Sequence, residues 1–237
     1  MRHLQRRPFY LLLFLINCCL AMNTFAQEND YREKRMEMVA TQLEGRRIED
    51  PRVLDAFRKV ERHRFTLERH RHLAYEDQPL PIGEGQTISQ PYIVAFMTEL
   101  ADITPEEKVL EVGTGSGYQA AILGELAKRV YTIEIVRPLG ERARKLLNVL
   151  GYDNVHVRIG DGYAGWPEAA PFDAILVAAA APEVPPPLVE QLADGGRLVI
   201  PIGDPDRLQY LTLLRKVNGQ LRRERVVPVR FVPFTRD

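Results

Sequence analysis

At 237 residues, 45% of them hydrophobic, the chain is long enough for one sizeable core and short for two full domains. Lysine plus arginine and aspartate plus glutamate number 32 each, so the basic surplus that drives general affinity for nucleic acid is absent. The two cysteines, Cys18 and Cys19, lie close to the N-terminus and leave the rest of the chain without a disulfide.

Residues 1–26 read as a leader. Arg2, Arg6 and Arg7 precede an apolar run from Phe9 to Met22, interrupted by Asn17, and Thr24, Phe25 and Ala26 place small residues at the −3 and −1 positions of a cleavage site. This predicts a secretory signal peptide, an exported and periplasmic protein, and a mature chain from Gln27. An uncleaved anchor is the alternative, but an apolar run of about 14 residues falls short of the roughly 20 that span a bilayer. A lipoprotein at Cys18 or Cys19 is a second alternative, against which Asn17 stands where a lipobox has Gly, Ala or Ser. The leader holds three of the 32 basic residues and no acidic one, so residues 27–237 carry 29 against 32, a net charge of −3. Such a body is expected to have no nucleic-acid partner; the protein is also expected to be a monomer with no stable membrane insertion after cleavage.

Residues 27–237 are expected to form a single domain, its helical N-terminal part over 27–82 and its core over 83–237. Tyr31 to Ile48 is helix-prone, with Met36, Val39, Ala40 and Leu43 on one side. Asp50 followed by Pro51 is a cap with proline at the first helical position, opening a helix that carries Val53, Leu54, Phe57 and Val60. These helices are expected to form a lid. The basic segment after them, Arg62 to Arg64 and Arg69 to His72, reads as a solvated face rather than a metal site, since His70 and His72 are two apart with no cysteine near.

Beyond Lys108 the pattern alternates strand and helix. Val109 to Val112, Val130 to Ile135, Val155 to Ile159, Phe172 to Val177 and Leu198 to Ile200 are candidate strands. Leu139, Ala143, Leu146, Leu147 and Leu150 recur at helical spacing between two of them. Pro185 to Pro187 predict a short helix ending at Gly195 and Gly196. The alternation implies a mainly parallel sheet with helices on both faces. Tyr210 to Leu214 and Val226 to Val232 add two runs expected to close one edge.

The chemistry concentrates in VLEVGTGSGY, residues 109–118. Glycines between a strand and a helix let backbone amides approach a ligand at the positive end of the helix. A dinucleotide fingerprint starting at Gly113 needs glycine at 118, which is Tyr118, and no Gly-Lys-Ser/Thr of a P-loop exists. Instead Glu111 precedes Gly113, Gly115 and Gly117. An acidic residue in place of a basic phosphate grip suits a positively charged ligand without phosphate, and S-adenosylmethionine has both properties. Glu134 ends the next strand 21 residues after Gly113, the spacing at which an acid meets ribose hydroxyls. Asp161 follows the third strand, where it could accept from an adenine amino group. Asp161 as a helix cap and Glu134 as a solvated strand end remain open.

The segments AYEDQPLPIGEGQTISQPYIVAFMTEL, VLEVGTGSGYQAAIL, GYDNVHVRIGDGYAGWP and GGRLVIPIG resemble the protein-L-isoaspartate O-methyltransferase family, in order and spacing, over residues 35 to about 235. The resemblance implies an α/β fold, the Rossmann-like seven-stranded S-adenosylmethionine-dependent methyltransferase sheet. It implies methylation of the carboxylate of L-isoaspartyl and D-aspartyl residues in damaged proteins, the methyl ester then collapsing to a succinimide that reopens partly to aspartate. It assigns catalysis to Ser89 and cofactor contacts to Thr87, Ile88, Gln90 and Gly162 beside the acidic and glycine residues above. Ser89 and Ser116 are the only serines in the chain, and neither lies in a GxSxG elbow. Ser89 could also cap the helix beginning near Pro91. The chain departs from the family pattern at Glu61, where proline is usual, at Ala178, where threonine is usual, and in its export leader, since family members are commonly cytoplasmic, which is the alternative location.

Overall fold

The computed structural model describes residues 27–204 and 207–236; the expected leader, residues 1–26, lies outside them. Helix α1, residues 27–38, runs on through a π turn, Val39–Leu43, and a 3₁₀ turn, Glu44–Arg46, and stops at Arg47 in the left-handed region. Its buried stripe is Tyr31, Arg35, Met38, Val39 and Leu43. Met36 and Ala40, expected on that stripe, are exposed. The phase is set by Arg35, which turns inward because its Nε donates to Arg58 O at 2.7 Å.

Helix α2, Pro51–Lys59, starts where the sequence places it, with Asp50 Oδ1 accepting from the Arg52 amide at 2.8 Å. Val53, Leu54, Phe57 and Val60 are buried. It packs on α3, Pro91–Ala101, and α4, Tyr118–Leu126, with the Phe57 ring edge-on to Tyr118 at 5.9 Å. The N-terminal part therefore covers α3 and α4 rather than lying as a lid over the cleft described below.

The basic segment is not one solvated face. Arg69, Arg71 and His72 are exposed, but Arg62 and His63 are buried. Aromatic partners from elsewhere draw His63 in: its ring stacks on Tyr31 at 4.1 Å and its Nδ1 lies 2.8 Å from Tyr75 Oη. Among the described residues no group of three or more His, Cys, Asp or Glu is placed to hold a metal, and no helix is long and apolar enough to cross a membrane.

The main sheet has seven strands in the order β5-β4-β3-β6-β7-β8-β9. These are β3, Lys108–Val112; β4, Arg129–Glu134; β5, Val155–Ile159; β6, Phe172–Val177; β7, Leu192–Ile202; β8, Gln209–Val217; and β9, Gln220–Val229. The first five are parallel, and β8 and β9 close the edge antiparallel. Side chains alternate across the sheet: Val109, Val130 and Leu176 enter one core, Leu110, Ile133 and Ile175 the other. Burial on both faces is why these strands read as continuous apolar runs. Helix α5, Arg137–Val149, supplies Leu139, Ala143 and Leu147 to the interior. Helix α6, Pro186–Glu190, is shorter than expected. Gly195 and Gly196 do not end it but lie inside β7, because Leu192 already pairs with Phe172 and the register shifts before Ala174.

A separate hairpin joins β1, Leu80–Gly83, to β2, Gln86–Ile88, through Glu84 and Gly85, both at positive φ. This two-residue turn matches the twist of the flanking strands and delivers Thr87, Ile88 and Ser89 to the mouth of the sheet.

Candidate active site

Strand order reverses between β3 and β6, and ligands of open α/β sheets bind at the carboxyl edge beside such a point. There a cleft opens. Its walls include Glu111, the turn Gly113–Ser116, Glu134 and Gly162, faced by Gln86–Ser89 of the hairpin. Two carboxylates and no Lys, Arg or His line it among the described residues.

Parallel pairing sets Glu111 opposite Thr132. Thr132 Oγ1 donates to Glu111 Oε2 at 2.5 Å, and Thr114 Oγ1 lies 2.6 Å from Thr132 Oγ1. The other carboxylate oxygen, Oε1, is buried without a partner, and the side chain is 1% exposed. Burial, with the neighbouring Glu134 charge adding to it, pushes the Glu111 carboxyl up to about 8.

Glu134 is more than a solvated strand end. Its Oε2 accepts from the Gly115 amide at 2.7 Å and its Oε1 from the Val136 amide at 2.9 Å. It braces the glycine turn, and each oxygen keeps a lone pair for a ligand hydroxyl. The turn is tied to the sheet by Gly113 N and Thr114 N, which donate to Ile133 O. Gly117 is outside the lining; a Cβ there would press on Ala143 and Leu147 of α5, so its φ of 88° and its bareness serve helix packing. At Gly162 an added Cβ would overlap Val112 Cγ1, so only glycine lets the segment after β5 lie against β3.

Asp161 caps the short turn Gly162–Ala164, its Oδ1 accepting from Tyr163 N at 2.8 Å. Its Oδ2 faces Arg236 Nε at 3.4 Å, and the Arg236 guanidinium stacks 3.7 Å over the Tyr163 ring. Asp161 thus stands beside the cleft while Gly162 lines it. Gln90 faces an adjoining groove with Thr87 and Ser89. Gln90 is the N-cap residue of α3 and makes no side-chain cap bond. Ser89 is therefore not the cap, and its hydroxyl has no hydrogen-bond partner among the described residues, leaving it free at the junction of cleft and groove.

Sequence reasoning missed a wall. Val232–Thr235 run as a strap along the cleft, held by Ala180 N donating to Val232 O and Phe234 N donating to Ala180 O, each at 2.8 Å. The segment has no periodicity, and its FVPF composition gives no signal for such a path. Ala178 and Ala179, at the end of β6, also line the cleft.

The residues fit S-adenosylmethionine. An orphaned carboxylate oxygen in a cleft without basic side chains favours a cation and disfavours a phosphate, and a glycine turn braced by an acid suits a ribose. The reversed sheet with its antiparallel last pair and this acidic glycine turn define a Rossmann-like methyltransferase. Residues 33–237 match the family described as Protein-L-isoaspartate(D-aspartate) O-methyltransferase. A protein-L-isoaspartate O-methyltransferase of Opitutus terrae is 58% identical over 212 residues, covering 90% of this chain and 91% of that protein. One from Nitrosospira multiformis is 57% identical over 208 residues, covering 86% and 88%. A solved protein-L-isoaspartate O-methyltransferase superposes with a TM-score of 0.77 at 31% identity, over 84% of this chain and 65% of that one. A putative one from Plasmodium falciparum, in complex with S-adenosyl-L-homocysteine, superposes with a TM-score of 0.76 at 28% identity, over 86% and 99%. The chain belongs to the protein-L-isoaspartate(D-aspartate) O-methyltransferase family.

Proposed function

We propose that this chain repairs aged proteins by methylating the carboxylate of L-isoaspartyl and D-aspartyl residues, with Ser89 at the point of transfer. The observation that carries the reading is the free Ser89 hydroxyl at the junction of an acidic, cation-free cleft and an open groove. When bound, S-adenosylmethionine supplies an electrophilic methyl group on a positively charged sulfur. Glu111 would hold its cationic end, Glu134 would take the ribose hydroxyls, and Asp161 with Gly162 would border the adenine. The substrate carboxylate is already ionised at neutral pH, so Ser89 is not asked to act as a strong base. Its hydroxyl and the amides of the 87–90 loop hold the carboxylate in line, and orientation of that kind accounts for a large part of such a barrier. Labelled cofactor offered with paired peptides, one isoaspartyl and one aspartyl, tests the substrate. Label in the first alone is expected, and equal labelling of both would sink the claim.

Two further readings belong with this one. The leader supports an exported, periplasmic enzyme, checked by fractionation and N-terminal sequencing: a chain beginning near Gln27 outside the cytoplasm is expected, and a full-length cytoplasmic chain contradicts it. The protein is further read as a monomer, which sedimentation tests: a single species at the mass of one chain is expected, and a dimer contradicts it.

A further inference from the structure

Arg62 is the largest of the fully buried side chains, 0% exposed, and no carboxylate pairs with it among the described residues. Its Nε donates to Ala74 O and its Nη2 to Ser89 O, both at 2.8 Å. Its Cζ lies 4.9 Å over the ring of Tyr118, the first residue of α4 after the glycine turn. Nη1 and Tyr118 Oη are buried without partners. Burial lowers the guanidinium to about 10, which leaves it charged at neutral pH.

Burying an unpaired charge is costly, and an apolar side chain of similar length would often be the more stable choice. What such a side chain could not do is donate to carbonyls. Arg62 joins three segments: its donors hold the end of the 3₁₀ stretch Glu68–Leu73 at Ala74 and the loop at Ser89, and its guanidinium lies over the ring at the start of the helix that follows the cofactor turn. The Ser89 carbonyl is a main-chain group of the residue whose hydroxyl stands at the cleft, so holding it places the backbone from which that side chain extends.

We infer that Arg62 is a positioning residue for methyl transfer: it clamps the main chain at Ser89 against the helix of the cofactor turn and sets where the 87–90 loop presents the substrate carboxylate. This rests on the placing of transfer at Ser89 and extends it to a residue that touches neither ligand. Misplacement of about 1 Å can cost about 100-fold in rate, so Arg62→Met is expected to lower kcat about 10- to 100-fold. Cofactor Kd should stay within about threefold, because the cleft lining excludes Arg62. Arg62→Lys keeps the charge and stem but reaches one carbonyl where Arg62 reaches both, so it should fold and give an intermediate kcat.

The test measures kcat, substrate KM, and cofactor Kd with its stoichiometry by calorimetry, for both variants and for Ser89→Ala. A kcat loss with full cofactor-binding stoichiometry supports the clamp. A kcat of Arg62→Lys within twofold of the parent, or a loss matched by an equal loss of binding-competent protein, overturns it. Full activity of Ser89→Ala beside slow Arg62 variants removes the hydroxyl from catalysis and keeps the clamp on the loop.

Discussion

The Gly115 amide donates to Glu134 Oε2 at 2.7 Å, so the acid expected to meet the ribose also holds the turn that would surround it. Glu134 accepts from two amides, Gly115 and Val136. Glutamine has one acceptor oxygen, and its amino group must then face one of those two donors. Glu134→Gln should therefore weaken cofactor binding about as much as Glu134→Ala, roughly 5- to 150-fold for a loss of 1 to 3 kcal/mol. Calorimetric titration of both variants checks this; a glutamine variant binding like the parent would show that the brace is dispensable.

Glu111 gives the cofactor site a pH dependence. Its folded-state carboxyl is raised to about 8, so in the ligand-free protein it is largely protonated at pH 7. A raised carboxyl contributes stability that is full below the unfolded value near 4.5 and is lost as pH rises through about 8. A cationic ligand beside Oε1 favours the ionised form and releases the proton. Binding at pH 7 is thus expected to release up to one proton, read from calorimetry in buffers of different ionisation enthalpy. In Glu111→Gln that release should vanish.

His63 works in the opposite direction. Burial lowers its imidazole to about 4 from 6.5, although Glu28 Oε2 stands 3.8 Å from Nε2. In the unfolded chain it takes up a proton near pH 6.5, in the folded one only near pH 4. Its contribution is full above pH 6.5 and is lost as pH falls to about 4, at most about 3 kcal/mol. Urea midpoints across that window should fall less steeply for His63→Phe than for the parent.

Gly162→Ala places a methyl group on Val112. Overpacking of this kind costs about 1 to 3 kcal/mol. Because Gly162 and Val112 both line the cleft, cofactor affinity should fall together with the melting temperature. A variant with a lower melting temperature and parental affinity would show that the segment shifts away from the cleft.

The parallel strands and the acidic glycine turn were legible because each is local: apolar runs buried on both faces, and glycines at fixed offsets from Glu111. The long edge strand β9 was only half legible, since its first residues, Gln220–Arg225, are exposed and, apart from Leu221, polar, and are held by the ladder to β8. Arg62 and His63 read as solvated from their charge, and their burial depends on carbonyls and rings contributed by Ala74, Ser89, Tyr31 and Tyr75. Met36 was misplaced because one buried arginine, Arg35, set the phase of α1. The roles of Glu134 and Gly117 divide between ligand and scaffold in a way that spacing alone cannot separate.

The two walls formed by residues 86–89 and 232–235 come from distant parts of the chain. A fragment lacking either wall lacks part of the cleft, so occupancy is expected to report on both parts of the chain rather than on one region. By mass action a ligand at about 100 times its Kd adds about 2.7 kcal/mol to unfolding, and that increment is shared by every segment the walls join. Amides in α1 and in β9, far apart in the chain, should gain the same protection when the cleft fills.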